Sequence, residues 1–251
     1  MNIAIITGGS SGVGRSAALA LGQRKDGVIV TYNSRAAEAD ALVAEITNGG
    51  GSAAALQLDV SNIGGLDAFV EHVRRLLRER WQRDDFDTLV NNAGVGGAMP
   101  FGEVTESYYD AMFATNFKGP FFLTQKLAPL LRDGGHILNV SSGSARAITS
   151  VGFSVYGATK AALTTVTRYW AKELAPRRIR VNCISPGPIV TNFADGAFAK
   201  HPEYIAPLAA STLLGRIAQP DDIGAAIAAL LSESCHFITA ADIDVSGGFM
   251  V

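Results

Sequence analysis

The sequence predicts an α/β fold: a single doubly wound parallel sheet of about seven strands with helices on both faces. Three observations carry this. Short apolar runs alternate with longer helical patterns along the chain. The composition, 48% hydrophobic and 18% charged with 27 glycines, suits a buried sheet joined by tight loops. A length of 251 residues falls in the usual range of one α/β domain, so one domain spanning 1–251 is expected.

The candidate strands are Ile3 to Thr7, Val28 to Tyr32, Ala53 to Asp59, Thr88 to Asn91, His136 to Ser141, Arg180 to Ile184 and Ala241 to Val245. Between them Arg15 to Arg24, Ala37 to Thr47, Leu66 to Trp81, Tyr108 to Leu131, Tyr156 to Leu174 and Pro220 to Leu231 carry helix formers, with apolar residues at three- and four-residue steps. Strand, helix, strand repetition implies parallel strands joined by right-handed crossovers. Such sheets bind ligands at the carboxyl ends of their strands, where the strand order reverses. The polar motifs of this chain fall at those ends or on the helix that follows.

Bulk properties exclude several classes. A formal charge of -2 gives no reason to expect a nucleic acid or an anionic membrane as partner. Cys183 and Cys235 have no second Cys or His at metal-ligand spacing, so no disulfide framework and no metal site is expected. His72, His136, His201 and His236 are not paired at ligand or triad spacing and read as solvated or structural. The run Ile3 to Ile6 is too short for a signal peptide or a membrane span, and a cytoplasmic location is expected. Gly152 to Tyr156 lacks the last glycine of a G-x-S-x-G elbow, which argues against a serine hydrolase.

The loop Thr7 to Ser16, TGGSSGVGRS, can be divided in two ways. From Gly9 it is G-x-x-x-x-G-R-S, one residue from a nucleotide-triphosphate loop; from Gly8 it is T-G-x-x-x-G-x-G. Phosphoryl transfer needs a lysine on the terminal phosphates and an aspartate for magnesium. Here Arg15 stands at the lysine position, and the strand that should end in an acid ends in NNAG, Asn91 to Gly94. The dinucleotide reading is the better one, although the spacing departs from G-x-G-x-x-G.

Further motifs follow in order: Leu58, Asp59 and Val60; Asn91, Asn92, Ala93 and Gly94; Asn116 in ATNFKG; Ser142 in NVSSGSA; Tyr156 and Lys160 in YGATK; and PGPIVT, Pro186 to Thr191. Together with Thr7, Gly8, Gly12 and Gly14 they resemble the short-chain dehydrogenase/reductase family, including its 3-oxoacyl carrier-protein reductase and glucose dehydrogenase-like members. The resemblance runs from Met1 to about Gly248. It implies a Rossmann-type sheet and an oxidoreductase that interconverts a ketone and a secondary alcohol, with a small carbonyl or alcohol substrate. It also implies a cofactor site built from Thr7, Gly8, Ser10, Ser11, Gly12, Val13 and Gly14, from Asp59 and Val60 beside the adenine, from Asn92, Ala93 and Gly94, from Tyr156 and Lys160, and from Pro186, Gly187, Ile189 and Thr191 over the nicotinamide. Asn116, Ser142, Tyr156 and Lys160 would be the catalytic set, with Lys160 also on the ribose and Asn116 holding a water in a proton relay.

The chemistry fits these residue types. A ketone that accepts a hydride needs a proton for its oxygen, and the protein must supply it. A free tyrosine, with a pKa of about 10, is a poor general acid/base at neutral pH. Lys160, one helical turn beyond Tyr156 on the same face, is expected to lower it. Ser142 can orient the substrate oxygen. It lies one residue further from the tyrosine than is usual in the family, which an insertion in the loop from Gly143 to Val155 explains, with Ser144 the next candidate.

Cofactor choice is read at the end of the second strand. Tyr32, Asn33, Ser34 and Arg35 stand where an NAD site places an acid, so NADP(H) is the preferred cofactor and NAD(H) the alternative, with Arg35 on the 2′-phosphate and Arg15 as a helper. The segment from about 188 to 216 is the least regular stretch and is expected to be a substrate lid, carrying Phe193, Phe198, His201, Tyr204 and Ile205. Met99, Phe101, Ile148 and Phe153 are candidate walls of an uncharged pocket. The helix from Tyr156 to Leu174 is apolar nearly all round, so one side is expected to meet the sheet and the other a partner, as in a homotetramer.

Two alternatives stay open. A 3-oxoacyl carrier-protein reductase would need a basic docking patch, for which Lys126, Arg132, Arg168, Lys172, Arg177 and Arg178 are candidates. A non-catalytic dinucleotide-sensing protein would keep the fold without the chemistry.

Overall fold

In the computed structural model, which describes residues 1–191 and 193–250, every apolar run read as a strand is one. They are β1 (Ile3–Ile6), β2 (Gly27–Tyr32), β3 (Ser52–Gln57), β4 (Phe86–Asn91), β5 (Leu131–Val140), β6 (Arg180–Pro186) and β7 (Asp242–Val245). The sheet has the order β3-β2-β1-β4-β5-β6-β7, and each neighbouring pair is parallel. The order reverses beside β1, whose Ile5 pairs with Ile29 on one side and Leu89 on the other. The carboxyl ends of β1 and β4 therefore splay around a crevice that can admit a ligand.

Alternation along the strands builds two cores. Ile3 and Ile5 join Leu89, Ile137 and Val181 against α3 (Leu66–Trp81) and, through Trp170, α6 (Ser154–Glu173). Ala4 and Ile6 join Val28, Val90 and Ile184 under α1 (Gly12–Gln23), α2 (Ala36–Asn48) and α9 (Pro220–Leu230). Helices cover both faces, as the alternating pattern requires.

Two expectations are corrected. The helix expected from Tyr108 to Leu131 is four pieces: α4 (Glu106–Phe113), a π turn over Ala114–Lys118, α5 (Gly119–Leu127) and a single 3-10 turn over Ala128–Leu130. Pro120 has no N–H to give the Asn116 carbonyl four residues back, and the Gly119 N–H reaches the Ala114 carbonyl five residues back. Leu131 already belongs to β5. The segment from 188 to 216, expected to be irregular, carries α7 (Phe193–Lys200) and α8 (Ile205–Ala210), joined by a short turn of helix at Pro202–Tyr204. Pro202, which has no N–H to donate, stands just past the end of α7 and opens the turn that leads to α8.

Candidate active site

The glycine loop leaves β1 and turns into α1. Gly8 and Gly12 have φ of +63° and +54°, a region that costs L side chains energy. A Cβ on Gly14 would lie 2.5 Å from the Gly8 carbonyl oxygen and 2.6 Å from Asn92 Nδ2, so only glycine lets the helix start this close to the β4 end. The Thr7 hydroxyl accepts from the backbone N–H of Asn92 (3.0 Å) and Ala93 (2.9 Å), and Asn92 Nδ2 donates to the Thr7 carbonyl (2.8 Å). Thr7 and Asn92 thus clasp the two strand ends together. Ser11, at the N-cap of α1, makes no side-chain cap bond, and the first turn holds no acidic residue. The helix N-terminus keeps its uncapped N–H groups and positive dipole end, which suits the phosphates of a dinucleotide.

Around this cradle Val13 is half-buried and Ser10 buried. The Asp59 carboxylate, at the surface, accepts from the Ser61 N–H (2.9 Å) and hydroxyl (2.6 Å), while Val60 is buried beneath it. Tyr32 is half-buried, and Asn33, Ser34 and Arg35 are exposed, with Arg35 at the N-cap of α2. Arg15 does not stand free to assist them, because its guanidinium is ion-paired to Glu45. From the far side comes the chain after β6: Gly187 packs on Ser246, Ile189 bridges to Ala218, and Thr191 lies across from Gly12, 3.6 Å from where a Cβ would stand. Asn192 lies outside the described residues.

The catalytic candidates converge at the β5 end. Tyr156 is buried, and burial pushes its phenol up to about 12, while the nearby Ser142 hydroxyl works in the opposite sense. Lys160 is also buried; burial lowers its ammonium to about 8, and Nζ donates to the Val140 carbonyl at 2.9 Å and sits 5.8 Å from the Tyr156 ring centroid. Removal from water is the dominant effect on both groups, so the net shift of the phenol is upward where the sequence led to the expectation of a lowering by Lys160. Ser142 accepts from the Ser144 N–H at 3.1 Å, capping the turn Gly143–Ala145. The two neighbouring hydroxyls are occupied: Ser141 donates to the Lys160 carbonyl (3.0 Å), and Ser144 pairs with Thr149 (2.7 Å). Of the three serines Ser142 is the one placed beside Tyr156.

Asn116 sits fully buried in the π turn. It accepts from the Val95 N–H (2.8 Å) and donates to the Val95 carbonyl (2.9 Å), clamping the chain just after Gly94. Its amide also donates to Thr159 Oγ1 at 3.2 Å, and Thr159 donates to the Tyr156 carbonyl at 2.7 Å. Below this layer Asn91 donates to Thr124 and Asn139, each at 2.9 Å, and Asn139 to Thr167 at 2.8 Å. Thr159, Asn139 and Thr167 are supports that the sequence reading did not include. Their only signal was polar residues at positions that pattern otherwise as core.

The expected walls divide. Phe153 meets Tyr156 edge to face at 5.7 Å, and the Met99 N–H donates to the Gly152 carbonyl at 3.0 Å, whereas Phe101 and Ile148 project into solvent. In the segment from 188 to 216, His201 is engaged with Glu203 (3.1 Å) and stacks on Tyr204. A cavity of about 430 Å³ between the loop Ser144–Phe153 and the Gly157, Ala158 and Ala161 side of α6 excludes Tyr156, Lys160 and Ser142 from its lining. These three α6 residues lie on the face opposite Tyr156, so the cavity is not the catalytic one. Among the described residues no cluster of His, Cys, Asp and Glu could hold a metal, and no helix is long and apolar enough to cross a membrane.

Comparison with known proteins agrees with this geometry. Residues 8–250 match the family model described as enoyl-(acyl carrier protein) reductase. An uncharacterized oxidoreductase of Methylorubrum extorquens is 40% identical, covering 98% of this chain and 96% of its own. The reductase LugOII, which catalyses keto-reduction at C1 during lugdunomycin biosynthesis, superposes with a TM-score of 0.93 at 34% identity, covering 100% and 98% of the two chains. The angucycline C-6 ketoreductase LanV, solved with bound NADP, superposes with a TM-score of 0.93 at 36% identity, covering 99% and 95%. With the glycine loop, the Tyr and Lys one turn apart and the serine at the β5 end all assembled on a parallel sheet, the chain belongs to the short-chain dehydrogenase/reductase family and is an oxidoreductase that uses a nicotinamide cofactor.

Proposed function

We propose that this enzyme reduces a ketone to a secondary alcohol with NADPH, and that Tyr156 delivers the proton. The observation that carries the reading is the convergence of Tyr156, Ser142 and Lys160 at the end of β5. A bound nicotinamide supplies the hydride. The chain's own part is the oxygen. Ser142 hydrogen-bonds the substrate carbonyl and holds it against the Tyr156 hydroxyl, which gives up its proton as negative charge develops. Lys160, when protonated, sets a positive charge near the phenol and favours the phenolate left behind. Asn116 keeps Tyr156 and the chain after Gly94 in fixed relation through Thr159 and Val95.

The dinucleotide would be held by the α1 N-terminus with Ser10, Ser11 and Val13, by Asp59, Asn92 and Ala93, by Lys160, and by the chain from Pro186 to Thr191. Preference for the 2′-phosphate rests on Arg35 and on the lack of a carboxylate from Tyr32 to Arg35. The lid would be α7 and α8. Docking of a carrier protein is the weaker reading: of the basic candidates, Lys126 is paired with Asp67, Arg132 with Asp87 and Arg177 with Asp133. A homotetramer through the outer face of α6, where Tyr169 is exposed, would give four times the monomer mass by light scattering. The reaction is tested by a panel of ketones and alcohols with each cofactor, followed by nicotinamide absorbance. Ketone-dependent NADPH oxidation is expected.

A further inference from the structure

We propose that the site selects flat aromatic ketones, with Phe193 as the ring on which the substrate stacks and Gly96 as the residue that seats Phe193. The proposal rests on the ketone-reductase reading above.

Tyr156 is bracketed by two rings. Phe153 approaches it edge-on at 5.7 Å with planes at 88°, and Phe193, from the first turn of α7, lies 5.9 Å away with planes at 58°. Phe193 holds its place because Gly96 has no side chain: a Cβ there would fall 2.1 Å from Phe193 Cε1 and 2.5 Å from Cζ. No side chain at residue 96 can coexist with the ring in this position. The loop that carries Gly96 is fixed at several points. Asn116 clamps Val95, the Tyr108 hydroxyl donates to the Gly97 carbonyl (2.7 Å), and Met99 bonds to Gly152.

The exposed part of this surface is apolar. Phe193 is 41% exposed and Val95 42%, so one aromatic ring and one aliphatic side chain face outward here. Of Phe153, Phe193 and Lys160, which are placed against Tyr156, Lys160 alone carries a charge, and its Nζ is turned to Val140. A ketone recognised here would be uncharged near its carbonyl. A flat ring fused to the carbonyl lets the oxygen reach Tyr156 and Ser142 while the ring lies against Phe193 in an offset or edge contact. A saturated ring of the same size is thicker and offers no π face.

The test compares 1-tetralone with its saturated counterpart 1-decalone, with NADPH, on the wild-type enzyme, Phe193→Leu, Phe193→Tyr and Gly96→Ala. The ratio of kcat/KM for the two ketones, normalised to wild type, cancels their intrinsic reactivity. Phe193→Leu keeps apolar bulk and should lower the ratio about five- to tenfold, the range of an aromatic contact. Phe193→Tyr should retain the ratio, and Gly96→Ala, which displaces the ring, should lower it as Phe193→Leu does. An unchanged ratio in Phe193→Leu with both ketones still reduced overturns the slot and leaves the reductase reading intact. Absence of any ketone-dependent NADPH oxidation by the wild type overturns both.

Discussion

The Lys160 ammonium donates to the Val140 carbonyl at 2.9 Å, which anchors it to the last residue of β5, two residues before Ser142. Lysine and serine are thereby held to one strand end, and α6 brings Tyr156 to them. Lys160→Met is expected to lower turnover about a hundredfold or more, as for loss of an acid–base partner, measured as kcat for ketone reduction.

The same lysine gives a pH signature. Its pKa is lowered from 10.5 to about 8, so the folded protein releases this proton earlier than the unfolded chain. Between those values the unfolded state binds more protons, and the contribution of Lys160 to stability rises with pH across the window. Denaturant midpoints from pH 8 to 10 should therefore fall less steeply in the wild type than in Lys160→Met.

His136 predicts the acid side. Asn182 fixes its tautomer: the Asn182 carbonyl accepts from the Ala241 N–H (3.1 Å), so its amide nitrogen donates to both the Ile238 carbonyl (2.8 Å) and His136 Nε2 (2.9 Å). The proton then sits on Nδ1, which has no partner among the described residues. Burial and the nearby Arg180 lower the ring from 6.5 to about 3. The unfolded chain gains this proton below pH 6.5 and the folded one does not until about pH 3, so stability falls as pH drops through that range. From pH 6 to 5 the wild type should lose up to about 1.4 kcal/mol per pH unit more than His136→Gln, by urea denaturation.

Arg146 ties the loop after Ser142 to β7. It donates to Asp244 at 3.0 Å and lies 3.5 Å from Asp242, whose other oxygen accepts from Ser185 in β6 (2.6 Å). The strap crosses the ends of β5, β6 and β7, and its surface ion pairs add little to stability, about 1 kcal/mol or less. Its effect should be on positioning. Arg146→Ala should lower kcat on the order of tenfold with NADPH affinity unchanged and the melting temperature little altered, and Arg146→Lys should recover part of the loss.

For the cofactor, Arg35→Ala should weaken NADPH binding about tenfold or more and leave NADH binding unchanged, by fluorescence titration. Equal weakening of both would remove the 2′-phosphate assignment. Glu38, in the first turn of α2, supplies a control, since Glu38→Gln should not weaken NADPH.

Much of this site is legible in the chain because its signals are local. The apolar runs marked all the strands, and the glycine loop, NNAG, the β5 serine and the Tyr and Lys pair each lie on an element that periodicity identifies. What was not legible depends on partners distant in sequence. Asn116 and Thr159 are 43 residues apart, and Arg146 and Asp244 are 98 apart. The approach of Phe193 to Gly96 likewise exists only once the sheet brings the ends of β4 and β6 together. Pro120 did announce the break in the helix near Asn116, through its missing donor, but the helical period on either side masked it. The rise of the Tyr156 pKa follows from burial, which residue spacing does not report.

In the proposed reaction Tyr156 supplies the proton at a site that otherwise remains intact, and Tyr156→Phe tests this directly. NADPH affinity by fluorescence and kcat with a reducible ketone would be measured on the same preparation. The expected result is binding within about twofold of wild type and turnover lowered by about a hundredfold to ten-thousandfold. Turnover retained near the wild-type value with NADPH bound would contradict it.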